Sequence, residues 1–497
     1  PSGMNRVVIG QTTAGLARFL LESKTGTPST RLRVVVGCDA RTNSDVFASD
    51  TATILSGQGI DVVQLPNALP TPVLAFAVRH LNADAGVMVT ASHNPPKDNG
   101  YKVYLGGGDE GSQIIPPIDA EIEAHIHDVA EHLAWQEIPK SQELVTQAPA
   151  HLVDDYLSST IRSVNPSGKI HTELSVVYTP LHGVGEGTFL SAVHSAGMPA
   201  VHVVASQAKP DPKFPTVAFP NPEEKGALDL SFELAREVKA DLILANDPDA
   251  DRLALALPDP SSPAGYKALT GNQLGAILGW FMAKRAMERG TTGALANSLV
   301  SSPVLGKIAT HFGLIHVETL TGFKYVSRVP ELIFGFEEAL GYLVTPDVVR
   351  DKDGISAALM ILDISHTLAC EGRTLADYLT EIEAAIGGFA SSQITLRIDS
   401  HQQGPSLSDQ LRSHPVTEIG NQAIRKADDF ETGVGDYPKE NILRYYLEDG
   451  SRVIIRPSGT EPKIKIYLDT VGATNEQAQA SLEELDSSLR ALVASLT

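Results

Sequence analysis

The sequence holds very little cysteine. Of its 497 residues only Cys38 and Cys370 are cysteines, which excludes a disulfide framework or a structural zinc site and favours a reducing, cytoplasmic setting. Positive charge is scarce too: 39 Lys and Arg stand against 60 Asp and Glu, a net charge of −21. Nucleic acid and anionic membrane both require a broad basic face, so neither is an expected partner. A small anionic substrate is still allowed, because a local basic pocket survives a negative surround. Long apolar runs are missing as well. Leu274 to Ala283 is about half of what a membrane span needs. No signal peptide is visible, and the chain opens Pro-Ser-Gly-Met without an initiator methionine, so its start is read as processed or trimmed and the true start stays open. A Walker loop is absent: neither "SGKIH" nor "LGKIA" has Ser or Thr after its lysine. "HGVGEG" at 182–187 lacks the third glycine of a dinucleotide fingerprint and reads as a helix-opening turn.

What remains is ordinary globular material, 42% hydrophobic and 20% charged, in a chain too long for one hydrophobic core. Short apolar runs alternate with helical patterns, the mark of α/β units. The alternation itself repeats. "RVVVGCDAR" at 33, "SVVYTPLHG" at 175 and "ALANSLVSSP" at 294 are strands ending in polar turns. Each leads through a helical segment and a Gly to a second strand, at 59, 197 and 313. Each copy then delivers a third strand that stops at a conspicuous residue: Ser92, Asp247 and Glu337. This predicts three related α/β domains, each presenting one loop at a strand's carboxyl end, where open α/β sheets bind ligands. The last hundred residues differ, reading as alternating strands about an Asp-Gly turn and then an amphipathic helix over 475–496, a smaller α+β domain. The Pro-rich stretch 206–226 has no periodicity and is a long loop, a functional candidate by length.

The loops carry chemistry. "VMVTASHNPPKDNGYK" sends a buried strand into a proline-stiffened loop bearing Ser92; a surface turn with a capping serine is the plainer reading. "NDPDADR" sets Asp247, Asp249 and Asp251 at alternate positions, costly unless a cation neutralises them. All-oxygen ligation suits Mg²⁺. An EF-hand is excluded, since Arg252 replaces its Gly and Pro258 its Glu. A haloacid-dehalogenase-like phosphatase would want Thr or Val at Asp251. "GFEEALGY" and "TLTGFKY" are ambiguous alone, with Glu337 and Lys324 as possible ligand groups. "RPSGTEP" offers Arg456 with Ser458, Gly459 and Thr460 as a phosphate nest; an incidental hairpin turn is the alternative. A serine, a cation loop and a phosphate nest together point to phosphoryl transfer through a phosphoserine.

These four motifs, collinear over essentially the whole chain, resemble the α-D-phosphohexomutases, the phosphoglucomutase/phosphomannomutase superfamily. "TASHNPPKDNGYK" is similar to the phosphoserine loop, "DPDADR" to the magnesium loop, "GFEEALGY" to the sugar loop and "RPSGTEPKIK" to the phosphate loop. The resemblance implies three α/β domains with mixed sheets and a fourth of TATA-binding-protein-like α+β fold around one cleft, expected at 1–163, 164–266, 267–387 and 388–497. It implies that Ser92 carries the phosphoryl group and ligates Mg²⁺ with Asp247, Asp249 and Asp251. His93 and Arg252 would contact the reacting phosphoryl, and Lys102 and Lys352 would be the general acid and base. Thr321, Gly322, Lys324, Glu337 and Ala339 would face the sugar, and Arg456, Ser458, Gly459 and Thr460 the idle phosphate. The implied reaction interconverts hexose 1- and 6-phosphates of glucose and mannose, with glucose 1,6-bisphosphate as activator. Two departures stand out. The sequence begins after the family's early "GT-x-G-x-R-G" segment, either lost or lying before the numbered start, and Ala339 replaces the serine usual in hexose-selective members. The latter resembles a subgroup with phosphopentomutase-like and sugar-bisphosphate-forming members. A pentomutase, an Asp247 phosphatase and an inactive sugar-phosphate binder are the competing expectations.

Overall fold

The computed structural model describes residues 3–23, 31–66, 68–164, 174–198, 201–397, 407–457 and 463–496. Four sheets organise them. The first runs through strands 33–38, 61–64 and 85–89, the second through 176–179, 202–203 and 242–245, and the third through 294–298, 315–319 and 332–337. In every case the first strand is central, with the second and third lying parallel on either side of it. In every case the chain then turns back to add an antiparallel fourth strand beside the third, at 102–105, 254–258 and 341–343. The expected triplication is therefore a triplication of topology. The three third-to-fourth strand connections, 90–101, 246–253 and 338–340, occupy equivalent places.

The central strands of the first two modules are rich in Val, that of the third reads Ala-Leu-Ala-Asn-Ser, and all three are buried over most of their length, as helix-covered parallel strands must be. Helices cover them with apolar stripes. Gly354–Cys370 is buried nearly along its length and is capped by Asp353, which accepts from the N–H groups of Ile355 and Ser356. One contiguous apolar cluster runs from Val35 and Leu74 through Leu244 and Leu255 to Leu295 and Phe334, so three modules share one core.

The fourth module is different. Its sheet is antiparallel throughout, in the order 388–397, 463–472, 452–457, 443–447, 422–429, 418–419, and the helix Asn475–Leu496 covers one face. It closes a separate core around Ile394, Val453, Ile466 and Leu489. Among the described residues no single helix is long and apolar enough to cross a membrane.

Candidate active site

The Ser92 loop and the Asp247 loop meet edge to edge. Ser92 Oγ donates to Asp247 Oδ2 at 2.8 Å and lies 3.3 Å from His93 Nδ1. Ser92 holds a left-handed backbone with φ +51, worth about 1–3 kcal/mol of strain for a non-glycine residue. The other two connections carry the same feature at Ala250 and Leu340, φ +54 and +63. Each of the three connections thus contains one left-handed step at a non-glycine residue.

The aspartate loop is wedged in place. A Cβ at Gly183 would sit 2.3 Å from Pro248 Cα, and one at Gly354 would sit 2.3 Å from the Arg252 carbonyl oxygen, so only glycine lets these backbones approach. Thr71, opening a helix of the first module, donates its N–H to the Asp249 carbonyl at 2.9 Å and its hydroxyl to Asp249 Oδ2 at 2.6 Å. The loop also reaches the third module, where Arg252 bridges to Gly341 and its Nη1 donates to the Ala339 carbonyl at 3.0 Å.

Asp247, Asp249 and Asp251 are 0%, 0% and 1% exposed, and one carboxylate oxygen from each lies within 4.8 Å of the others. Lys102 Nζ lies 2.9 Å from Asp249 and from Asp251, and Lys352 Nζ lies 3.2 Å from Asp251 and 3.3 Å from Asp351. Two oxygens, Asp249 Oδ1 and Asp251 Oδ1, nevertheless have no hydrogen-bond partner among the described residues, although Arg252 Nε lies 3.9 Å from the second. Buried carboxylate oxygens left unpaired are costly. A hard cation ligated by oxygen would satisfy both, so the donor set fits a divalent metal.

The charges sort by position. Burial, then Asp249 and Asp251, hold the Asp247 carboxyl well above the ordinary range. Burial also opposes ionisation at Asp249 and Asp251, but Lys102 overrides it at both, with Lys352 and Arg252 adding at Asp251, and both carboxyls are lowered. Burial likewise opposes charge on Lys102 and Lys352, yet their carboxylate partners raise both amines, Lys102 strongly. Burial, reinforced by Arg252, pushes His93 down to about 3, so it is neutral at physiological pH.

The sugar-loop candidates lie beside this cluster. Glu337 Oε1 accepts from the Gly322 N–H at 2.8 Å, and burial followed by Glu338 lifts its carboxyl to about 7. The Thr321 hydroxyl is buried without a hydrogen-bond partner among the described residues. Ala339 contributes its carbonyl to Arg252. Lys324 is turned instead toward Asp119 of the first module, at 3.9 Å. Arg456 stands on the strand Arg452–Pro457 and bonds Tyr467, whose hydroxyl also feels Glu338 and Glu337. Ser458, Gly459 and Thr460 lie outside the described residues.

Several residues at the site escaped the sequence reading. Thr71 is one. Asp351 is another, accepting from Tyr104 and Gln113 at 2.8 Å each beside Lys352. Arg41 and Asp39 brace the serine loop from the neighbouring strand end. Their only sequence signal was position, at the carboxyl end of the first strand. The long loop 206–226 was flagged by length, and it delivers Phe214 onto Arg41.

The four sequence models of one family lie along the chain in order: "Phosphoglucomutase/phosphomannomutase, alpha/beta/alpha domain I" at residues 2–132, domain II at 154–260, domain III at 270–385 and the C-terminal domain at 416–486. The chain belongs to the phosphoglucomutase/phosphomannomutase family. Within it, a Haemophilus influenzae protein named "Probable phosphomannomutase" is 47% identical over 98% of this chain and 97% of its own length. A human protein named "Phosphopentomutase" is 35% identical over 98% of this chain and 86% of its own. A solved family structure from Burkholderia thailandensis superposes with a TM-score of 0.72 at 17% identity, covering 98% of this chain and 94% of that one, which shows a shared fold. The chain is a phosphohexomutase-type enzyme of this family.

Proposed function

We propose that this enzyme interconverts hexose 1-phosphate and hexose 6-phosphate, of glucose and mannose, with Ser92 as phosphoryl carrier and hexose 1,6-bisphosphate as intermediate. The observation that carries the reading is the 2.8 Å contact of Ser92 Oγ with Asp247, inside a carboxylate cluster that retains two unpaired oxygens. Mg²⁺ held by Asp247, Asp249, Asp251 and the Ser92 oxygen would supply charge neutralisation at the phosphoryl group. Arg252 and neutral His93 would bond the phosphoryl oxygens. Transfer from phosphoserine to a sugar hydroxyl removes a proton from that hydroxyl and leaves the serine oxygen to be protonated or shielded. Lys102 and Lys352 are the amines in the cluster, and both are charged here. A lysine that gives its proton to Ser92 Oγ as the serine–phosphorus bond breaks would take up the proton that the sugar hydroxyl releases, so the exchange balances. Glu337, with Thr321 and Gly322, would hold sugar hydroxyls, and Arg456 the phosphate that is not reacting.

A coupled isomerisation assay on glucose 1-phosphate and mannose 1-phosphate, with and without added glucose 1,6-bisphosphate, tests the reading. Turnover should depend on the bisphosphate, and Ser92→Ala should lose about 10³-fold or more, as when a covalent step is removed. Near-normal turnover by Ser92→Ala, or release of inorganic phosphate without any bisphosphate requirement, would sink it. A pentose phosphate is the second reading, favoured by Ala339 in the sugar loop and by the human relative's name. Side-by-side rates on ribose 1-phosphate and glucose 1-phosphate decide between them.

A further inference from the structure

We infer that Arg41 is a positioning residue for phosphoryl transfer, holding the serine loop so that Ser92 Oγ meets Asp247. The inference rests on Ser92 being the phosphoryl carrier. Arg41 follows the central strand Arg33–Cys38 of the first module, and its side chain is 1% exposed. Its Nη1 donates to the carbonyls of Pro95 at 2.8 Å and Asp98 at 3.3 Å. Its Nη2 donates to the carbonyl of Asn94 at 2.7 Å and to that of Ser92 itself. Four carbonyls of one loop thus converge on one side chain. Only a guanidinium offers donors enough in a fixed planar fork; an ammonium has three, and no plane.

The other half of the brace grips the Ser92 N–H. That group donates to Thr90 Oγ1 at 2.9 Å, and the same hydroxyl donates to Asp39 Oδ2 at 2.7 Å. Asp39 Oδ2 also lies 3.1 Å from Arg41 Nε. Both backbone polar groups of Ser92 are therefore tied to the Asp39–Arg41 pair, one through Thr90 and one directly. That accounts for a serine kept at φ +51 without glycine's freedom. The guanidinium in turn lies 5.2 Å from the ring of Phe214, which is 2% exposed and belongs to the long loop of the second module. The brace therefore spans the same two modules whose loops share the Ser92–Asp247 contact. Arg41 acts on the loop's backbone, and its effect on chemistry runs through the aim of Ser92.

A positioning role separates from a merely structural one by where the loss falls. The sugar and idle-phosphate candidates stand on the third and fourth modules, so a loosened serine loop should lower kcat and spare KM. The test compares wild type, Arg41→Lys, Phe214→Leu and Ser92→Ala in the coupled assay, together with the rate at which glucose 1,6-bisphosphate phosphorylates Ser92, read by intact mass. Arg41→Lys should lose roughly 100-fold in kcat, the scale of a misplacement near 1 Å. Its KM should stay within about threefold, and Ser92 phosphorylation should slow by the same factor as kcat. Phe214→Leu keeps every hydrogen bond and loses the aromatic face, so it should lose about 2- to 30-fold in kcat. That variant carries the test if Arg41→Lys does not fold. Arg41→Lys within about threefold of wild-type kcat, a rise in KM with kcat unchanged, or losses that match the unfolded fraction by circular dichroism would each overturn the proposal. Turnover retained by Ser92→Ala would overturn the carrier reading and this one with it. Ser92→Ala inactive beside a fully active Arg41→Lys would overturn this one alone.

Discussion

The first three modules and the fourth are joined to the molecule in opposite ways. Modules one to three are fused by one apolar cluster, and their site loops are stitched together by Thr71 to Asp249 and by Arg252 to Gly341. The fourth meets the third across a small patch, Leu299, Val300 and Leu320 against Phe430, Ile442, Ile454 and Tyr467. Around it runs a charged seam, in which Glu318 takes Arg444 at 3.0 Å and Arg452 at 2.9 Å, and Arg452 also donates to the Ser301 carbonyl. A core shared by three modules resists relative motion more than a separate apolar patch with a charged rim does. On the proposed reading the reacting groups sit on the rigid side, and Arg456, as the distant anchor, would sit on the side better able to adjust. This division would suit the proposed reaction, in which first one end and then the other of the substrate is presented to Ser92.

The comparison breaks most visibly at the rigid side. Asp247 is buried among like charges, and its carboxyl is raised by that burial and by Asp249 and Asp251. A carboxyl whose folded value is raised loses stability as pH climbs above its unfolded value, so at neutral pH its charge works against the metal-free fold. Asp247→Asn should accordingly raise the melting temperature without Mg²⁺, cancel most of the rise Mg²⁺ gives the wild type, and cut turnover roughly 10²- to 10³-fold. Melting curves with and without Mg²⁺ read both signs. An undiminished Mg²⁺ shift in the variant would remove Asp247 from the ligand set.

The next effect belongs to the adjustable side. A charge-assisted bond from Arg is worth about 1.5–3 kcal/mol, so Arg456→Ala should lose roughly 10- to 150-fold in kcat/KM. Because a phosphate looks alike from either carbon that bears it, the loss should be similar for 1-phosphate and 6-phosphate substrates. A large loss with one isomer and none with the other would mean that the anchor reads a single orientation.

The two sides were also unequally legible in the sequence. Ser92, Asp247 and Glu337 announce themselves because each ends an apolar run, and a strand that stops at a polar residue locates that residue at the sheet's carboxyl edge. The topological repeat was readable for the same reason, since strand, helix and strand recur in fixed order. Arg41, Thr71 and Asp351 were not readable as site residues, because their partners lie 51 to 57, 178, and 238 to 247 positions away, and only the fold brings them together. Lys324 was assigned to the sugar by its motif, and its ammonium faces Asp119 across the module boundary. The seam was invisible for a different reason. Glu318, Arg444 and Arg452 sit on ordinary strands, where a charge reads as a solvated face until a second sheet covers it.

That seam gives the third test. Glu318→Gln removes the negative charge shared by two nearly buried arginines, although Arg444 keeps Asp428 and Arg452 keeps Asp469. With those partners retained, the cost should be about 1–3 kcal/mol, confined to the docking of the fourth module. Calorimetry should show a transition splitting off below the main one, while kcat at saturating substrate changes little. A uniform drop of one undivided transition would mean that all four modules unfold as a unit and that the seam is no weaker than the shared core.

The smallest effect is a pH dependence confined to the rigid side. Burial, and next Glu338, lift the Glu337 carboxyl from 4.5 to about 7. Its folded value is above its unfolded one, so the folded state binds the proton more tightly. Stability should fall as pH rises from about 4.5 through 7 and level off beyond. Glu337→Gln, which cannot ionise, should match wild type near pH 5 and melt higher near pH 8, by a few degrees. The same titration should appear in substrate binding, because only the carboxylate accepts two sugar hydroxyls at full strength. Wild-type KM for hexose phosphate should therefore improve between pH 6 and 8, and that of the variant should stay flat. If both proteins show the same slope in melting temperature across this range, the titrating group is elsewhere, and Glu337 is ionised throughout by contacts stronger than its burial.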